Sequence, residues 1–153
     1  MTDTTALKLA VERMSYGPDA IAHTPEGKTV FVGGGVPGDV ALVTIDSDGP
    51  SFSKGHVAEV VEASADRVAP RCPYAAICGG CPWAQLSYPA QASAKRAGVV
   101  DALVRIGHLA ADVSEALVAA CVSPSEPWGY RNKIELAFSR QSGRPLVGMH
   151  AAG

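Results

Sequence analysis

The stretch Val30-Phe31-Val32-Gly33-Gly34-Gly35-Val36-Pro37-Gly38-Asp39-Val40-Ala41-Leu42-Val43-Thr44-Ile45 decides the fold of this 153-residue chain. Two runs rich in β-branched residues, 30–32 and 40–45, flank a segment holding four glycines and a proline. A triple glycine invites a phosphate-loop reading, which needs a strand feeding a helix whose N-terminus faces the phosphates. Pro37-Gly38-Asp39 followed by a second strand denies it, so residues 33–39 read as a hairpin loop between two strands.

Working outward, the pattern continues as short strands broken by turns. Leu7, Leu9 and Val11 alternate with polar or small positions, and His56 to Val61 closes the set. Tyr16-Gly17-Pro18-Asp19, Pro25-Glu26-Gly27 and Asp46-Ser47-Asp48-Gly49-Pro50 supply the turns. Roughly five strands within residues 1–66 imply a small closed or nearly closed β-barrel of the OB type. Phe31 lies in an apolar run and is expected in the core, while Tyr16 reads either as a turn packer or as a base-stacking residue.

Beyond a link at Arg67 to Arg71, three of the four cysteines fall together in Cys72-Pro73-Tyr74-Ala75-Ala76-Ile77-Cys78-Gly79-Gly80-Cys81. Such thiol density points to a metal centre rather than to packing. Gly79 and Gly80 can take positive φ and aim Cys78 and Cys81 at one point, with Cys72 closing from further out. Zinc or an iron–sulfur cluster would accept these three thiolates, and either asks for one more. Cys121 is far off in sequence, lacks a neighbouring base, and reads as a buried thiol; as a fourth ligand it would make the chain a non-catalytic zinc-binding adaptor. Trp83 and Tyr88 are expected to shield the centre from water.

Ser87 with Pro89 starts a helix in which Ala92, Arg96, Val99, Val100, Leu103 and Ile106 recur at helical spacing, and Gly107 offers its C-cap. Lys95, Arg96 and Arg105 lie on its more polar side, as a solvated face or as phosphate contacts. Ala110 to Ala120 reads as a second helix or a strand. Ile134 to Phe138 and Pro145 to His150 read as paired strands around a turn at 141–144, too few to stand alone, so the chain reads as ending inside a domain. Arg131, Lys133, Arg140 and Arg144 gather there, for solubility or for phosphate. The four histidines match no ligand spacing.

On Cys72-Pro73-Tyr74 with Cys78-Gly79-Gly80-Cys81, then Gln85-Leu86-Ser87-Tyr88, Gln91, Lys95 and Gly129-Tyr130-Arg131-Asn132-Lys133, the chain resembles the SAM-dependent RNA uracil-C5 methyltransferases of tRNA and 23S rRNA. Gly17-x-x-x-Ile21-Ala22 and Phe31-Val32-x-x-x-Val36-Pro37-Gly38-Asp39 are similar to that family's TRAM domain. The resemblance implies a mainly β chain with some α: a TRAM-like OB barrel at 1–66, a cysteine loop and helix at 67–110, and the start of a central α/β RNA-binding domain at 111–153. It further implies that Cys72, Cys78 and Cys81 ligate a [4Fe–4S] cluster whose fourth cysteine lies downstream of Gly153. RNA (tRNA or rRNA) is the implied partner, met by Lys95, Arg96, Arg131 and Lys133. Full-length relatives transfer a methyl group from SAM to uracil C5, using a cysteine thiolate that adds to C6 and a carboxylate that takes the C5 proton from an unstacked base. No SAM loop or catalytic residue is read in residues 1–153, so this chain is not expected to methylate by itself.

Composition narrows the rest. With 47% hydrophobic and 18% charged residues the chain can bury a core. Without an apolar run of about 18 residues or a signal core, a cytoplasmic protein that meets neither membrane nor DNA is expected, and the cysteine spacing fits a reducing compartment. The net charge of −2 is uneven: residues 1–66 carry four Lys/Arg against ten Asp/Glu, residues 67–153 nine against five. An RNA-facing surface is therefore expected chiefly on the second part; barrels of this kind bind single-stranded or looped RNA through an exposed strand face, and a lesser RNA contact is expected of this one, which lacks the excess of cations for electrostatic capture.

Overall fold

The computed structural model describes residues 6–150. Five strands, β1 (Ala6–Met14), β2 (Ala20–His23), β3 (Thr29–Gly33), β4 (Val40–Asp48) and β5 (Phe52–Glu62), close into a barrel of order β1-β2-β3-β5-β4. Then come α1 (Tyr88–Arg105), α2 (Ala111–Leu117) and a two-stranded sheet of β6 (Ala137–Gln141) and β7 (Arg144–Gly148). The chain is thus mostly β with two helices, and its barrel is consistent with a small OB-like TRAM barrel.

The topology corrects one sequence expectation. β3 and β4 flank residues 33–39 but do not pair; β5 lies between them, parallel to β3 and antiparallel to β4. The segment is a crossover, not a hairpin loop. The true hairpin is β4–β5, and β5 is long enough to bond β4 along its length while its first half also receives β3. A local reading of turn residues identifies where the chain bends but not which strand fills the space beside it. Three register shifts along β4–β5 supply the coiling that closure needs. β2 escapes a sequence reading as a strand in its own right because four residues show too little alternation.

Inward residues of each strand build the core. Leu9, Ala22, Val30, Val32, Ala41 and Val43 fill the barrel, with Leu7, Ile45 and Val57 against them. A second cluster of Val11, Met14, Ala20, Val36 and Leu86, with Trp83, Ala90 and Ala94 packed on it, joins the barrel end to the start of α1. Trp83 packs at the barrel–helix junction, where its indole N–H donates to the Gly17 carbonyl at 3.2 Å. An indole with a carbonyl in reach packs where both its ring and its N–H are satisfied.

Helix α1 starts as its residues foretell. Ser87 is the N-cap, its hydroxyl accepting from the Ala90 N–H and donating to Asp66 at 2.8 Å, with Pro89 in the first turn. Of its apolar positions only Val100 is buried, and Val99 and Ile106 are exposed. Ile106 rather than Gly107 is the C-cap. β6 and β7 pair from Ala137↔Gly148 to Gln141↔Arg144 around Ser142-Gly143, both at positive φ as a tight primed turn demands. The turn falls where expected, but β6 begins at Ala137, so Ile134 to Leu136 lie outside it. Among the described residues no helix is long and apolar enough to cross a membrane.

Candidate functional site

The cysteine segment is a closed excursion whose two ends are clamped together. Arg67 and Leu86 form an isolated β-bridge, Val68 N–H donates to the Gln85 carbonyl at 2.9 Å, and Ser87 N–H donates to the Asp66 carbonyl at 2.8 Å. A loop of more than about a dozen residues with pinned ends is a form more often functional than connective.

The clamp is anchored to the barrel by one buried carboxylate. Asp39 is 1% exposed and accepts from Val36 N–H at 2.8 Å and Ser64 N–H at 2.9 Å. The Arg67 guanidinium donates to it from Nε and Nη2, the shortest contact being 2.6 Å, and Nη2 also reaches the Gly34 carbonyl at 2.7 Å. Burial pushes the Asp39 carboxyl up, but the Arg67 hydrogen bonds, the two backbone N–H groups and the Arg67 charge together outweigh it, leaving the group below its ordinary range. Gly38 turns the chain into this position at φ +91°. Sequence reading misses this pair. Its one signal is an aspartate directly before an apolar strand, which the turn explains equally well.

Inside the clamp the backbone turns tightly. Ala75 N–H donates to the Cys72 carbonyl, Cys78 N–H to Tyr74 and Ala84 N–H to Cys81, at 2.9–3.2 Å. Neither Gly79 nor Gly80 has a positive φ, contrary to expectation. Gly80 N–H instead faces the Cys78 sulfur at 3.4 Å, and Gly79 N–H donates to the His150 carbonyl at 3.0 Å, tying the loop to the residues after β7. Arg71 lies over the Trp128 ring at 5.4 Å, a second tie to the later segment.

All four cysteines are free; Cys72 and Cys78 are half-buried, Cys81 and Cys121 exposed. The exposed Cys121 corrects the expectation of a buried thiol, because the segment after α2 has nothing packed over it. Thiol donors suit a soft metal or an iron–sulfur centre. The present side-chain arrangement does not: among the described residues no three His, Cys, Asp or Glu side chains converge on a common point. Thiolates brought together without a cation repel, so a three-sulfur set assembles with its metal rather than ahead of it.

The cationic candidates are dispersed. Lys95, Arg131 and Lys133 are exposed, and Lys133 pairs with Glu135 at 3.2 Å, an open contact of small worth. Arg96 is engaged in the fold. It donates to the Val118 and Glu115 carbonyls at 3.0 and 2.8 Å and pairs with the Glu115 carboxylate at 2.7 Å, fastening α2 to α1. Tyr16 reaches from the barrel to α1, donating to Asp101 at 3.1 Å. Its hydroxyl pKa is raised by burial first, then by that hydrogen bond and the Asp101 charge. Phe31 is not a core residue: it stands half-buried on the barrel's outer face, edge-on to Phe52 with ring centroids 5.5 Å apart.

An OB-type barrel that presents a clamped, cysteine-bearing loop beside a capped helix defines the architectural class. No protein-family model matches the chain. It is 38% identical over 141 residues to an uncharacterized RNA methyltransferase of Thermosynechococcus vestitus, a match covering 88% of this chain and 30% of that protein. It is also 34% identical over 140 residues to the 23S rRNA (uracil(1939)-C(5))-methyltransferase RlmD of Aromatoleum aromaticum, covering 92% of the chain and 31% of the relative. The RlmD of Xylella fastidiosa is 34% identical over 151 residues, covering 95% and 33%. The chain is a relative of these RNA methyltransferases and matches the N-terminal portion of the family. It spans about a third of the length of the curated relatives it matches.

Proposed function

We propose that this chain is the RNA-binding and [4Fe–4S]-binding N-terminal portion of a SAM-dependent tRNA or rRNA uracil-C5 methyltransferase acting in the cytoplasm. The observation that carries the reading is the match of about nine-tenths of the chain to the proteins named above, at 34–38% identity. Cys72, Cys78 and Cys81 would hold the cluster, with a fourth ligand downstream of residue 153. When bound, the cluster would supply a rigid crosslink of the loop, with or without electron transfer. This chain's own residues set the stage: the Asp66–Arg67 and Gln85–Ser87 clamp fixes where the loop leaves the barrel, and Gly80 N–H can steady the charge on the Cys78 sulfur. Lys95, Arg131 and Lys133 would contact RNA phosphates, and Arg96 would lend its charge while holding α2. SAM and the uracil would be handled by the remainder of such an enzyme.

The test is anaerobic purification of a version extended past Gly153. Brown protein with about four iron and four sulfide per chain is expected, and Cys72→Ser, Cys78→Ser or Cys81→Ser should each bleach it. A colourless extended protein holding stoichiometric zinc would overturn the cluster and favour a zinc-binding adaptor. Retention of that zinc by Cys121→Ser would in turn exclude Cys121 from the ligand set.

A further inference from the structure

A groove separates the barrel from α1. Its barrel side is the end of β1 and the turn after it, Glu12 to Tyr16, with Pro37; its helix side is the face of α1 that carries Pro89, Ala90, Ser93, Ala94, Ala97 and Gly98. The buried side chains of Met14 and Leu86 lie between the two. The space measures about 460 Å³, within the ~300–1,000 Å³ range of small-ligand sites. It is elongated, since the helix rises about 18 Å from Pro89 to Asp101, and between those two residues no lining side chain of α1 is larger than that of serine. The Tyr16 ring lies against Gly98, 3.7 Å from where a Cβ would stand, and its hydroxyl donates to Asp101 at 3.1 Å, bridging one end.

The apolar walls carry separated carboxylates. Asp66 stands at the start of α1 and Asp101 twelve residues beyond Pro89 along it, while Glu12 faces them from the barrel. Each is steadied through one oxygen and leaves the other open. Ser87 donates to Asp66 Oδ1 at 2.8 Å, Tyr16 and Arg105 meet Asp101 Oδ2 at 3.1 and 3.4 Å, and His23 meets Glu12 Oε1 at 2.9 Å; among the described residues Asp66 Oδ2, Asp101 Oδ1 and Glu12 Oε2 have no protein partner. Arg13 is the one cation among the lining residues, and residues 1–66 as a whole carry an excess of six acidic groups. A cleft with low-dielectric walls and mostly one sign of charge concentrates counter-ions of the other sign. Apolar lengths punctuated by carboxylates complement a thin chain of methylenes punctuated by ammonium groups, much as a lysine stem lies on apolar surface with its charged head in water.

We infer that the groove between β1 and α1 binds a linear alkyl polyamine, its methylene segments against Met14, Leu86 and the small-residue face of α1, its ammonium groups donating to the open oxygens of Asp66, Glu12 and Asp101. Binding there requires neither RNA nor a cluster.

Isothermal titration of the whole chain with spermine tests this, at about 0.15 M salt, where charges beyond about 8 Å are screened. Saturable binding of one spermine per chain is expected, tighter than that of the diamine putrescine and absent for the uncharged 1,6-hexanediol. Asp66→Asn and Asp101→Asn should each weaken spermine by about 3- to 30-fold; asparagine keeps the oxygen that Ser87 or Tyr16 bonds, and the urea midpoint of each variant certifies the fold. Arg13→Gln should instead tighten binding by about 2- to 5-fold. Ala97→Leu, at an exposed helical position, should fill the groove and weaken spermine by at least about 10-fold. Spermine that is displaced by magnesium at equal charge and is indifferent to Ala97→Leu would be condensed on an acidic surface, and the groove would be refuted. Absence of binding by the wild-type chain would refute it as well, and tighter binding of tetralysine than of spermine would give the groove to a basic peptide in place of a polyamine.

Discussion

Truncating Asp39 to alanine removes the acceptor on which the link between barrel and cysteine loop converges. Two backbone N–H groups, of Val36 and Ser64, and the Arg67 guanidinium all lose their partner in a place where Asp39 itself is shut off from water. Each orphaned N–H costs about 1–3 kcal/mol, so the backbone part alone is about 2–6 kcal/mol. Breaking a buried ion pair from one side costs about 3–5 kcal/mol by direct precedent, and the two routes agree. Against a domain stability of about 5–15 kcal/mol, this is a large fraction. The melting temperature should fall by about 6–20 °C at roughly 2–4 °C per kcal/mol for a chain of this length. Urea denaturation followed by far-ultraviolet circular dichroism measures it, with Asp39→Ala, Arg67→Ala and the double variant forming a cycle whose coupling should exceed about 1 kcal/mol.

The same ion pair sets a pH dependence. The Asp39 pKa is lowered in the folded protein, so its stabilisation is complete above the unfolded carboxyl value near 4 and is lost as pH falls through the lower folded value. Wild type should lose stability on acidification below about pH 4, and Asp39→Ala should show less of that loss. Because Arg67 belongs to the clamp, the variant should also be cut faster by trypsin at Arg71. A cost below about 1 kcal/mol, with an unaltered acid profile and unaltered trypsin sensitivity, would refute the view that this carboxylate anchors the loop.

Gly55→Ala should destabilise the barrel by at least about 2 kcal/mol, since a Cβ there would meet the Thr44 carbonyl oxygen at 2.2 Å; a urea midpoint within error of wild type would contradict the tight β4–β5 approach. Arg96→Ala should free α2, lowering helical circular dichroism while the barrel's unfolding transition stays in place, because every partner named for this side chain is Glu115 or Val118. Should the variant keep full helicity and instead lose RNA affinity as strongly as Arg131→Gln, Arg96 serves as a phosphate contact more than as a fastener.

Much of this protein is local chemistry and is legible in the residues. Alternating apolar positions announce β1, β4 and β5, Ser87 with Pro89 marks the start of α1 to the residue, and Ser142-Gly143 sits where a tight turn needs its positive φ. The cysteine cluster is visible as a motif, and its resemblance to RNA methyltransferases agrees with the relatives found. Each of these depends on neighbours within a few positions, which is the range over which backbone preference acts.

Pairing across the chain is decided elsewhere. Whether β4 lies beside β3 or β5 depends on closing the barrel, an energy shared by all five strands and written in no single turn. The apolar neighbours of Phe31 in sequence point to the core, yet register sets it outward beside Phe52, some twenty residues away, with Arg13 and Lys54 in the same row. Asp39 becomes an anchor only when Arg67 and Ser64 fold over it and water leaves, for the worth of a carboxylate depends on its surroundings, and those surroundings come from distant parts of the chain.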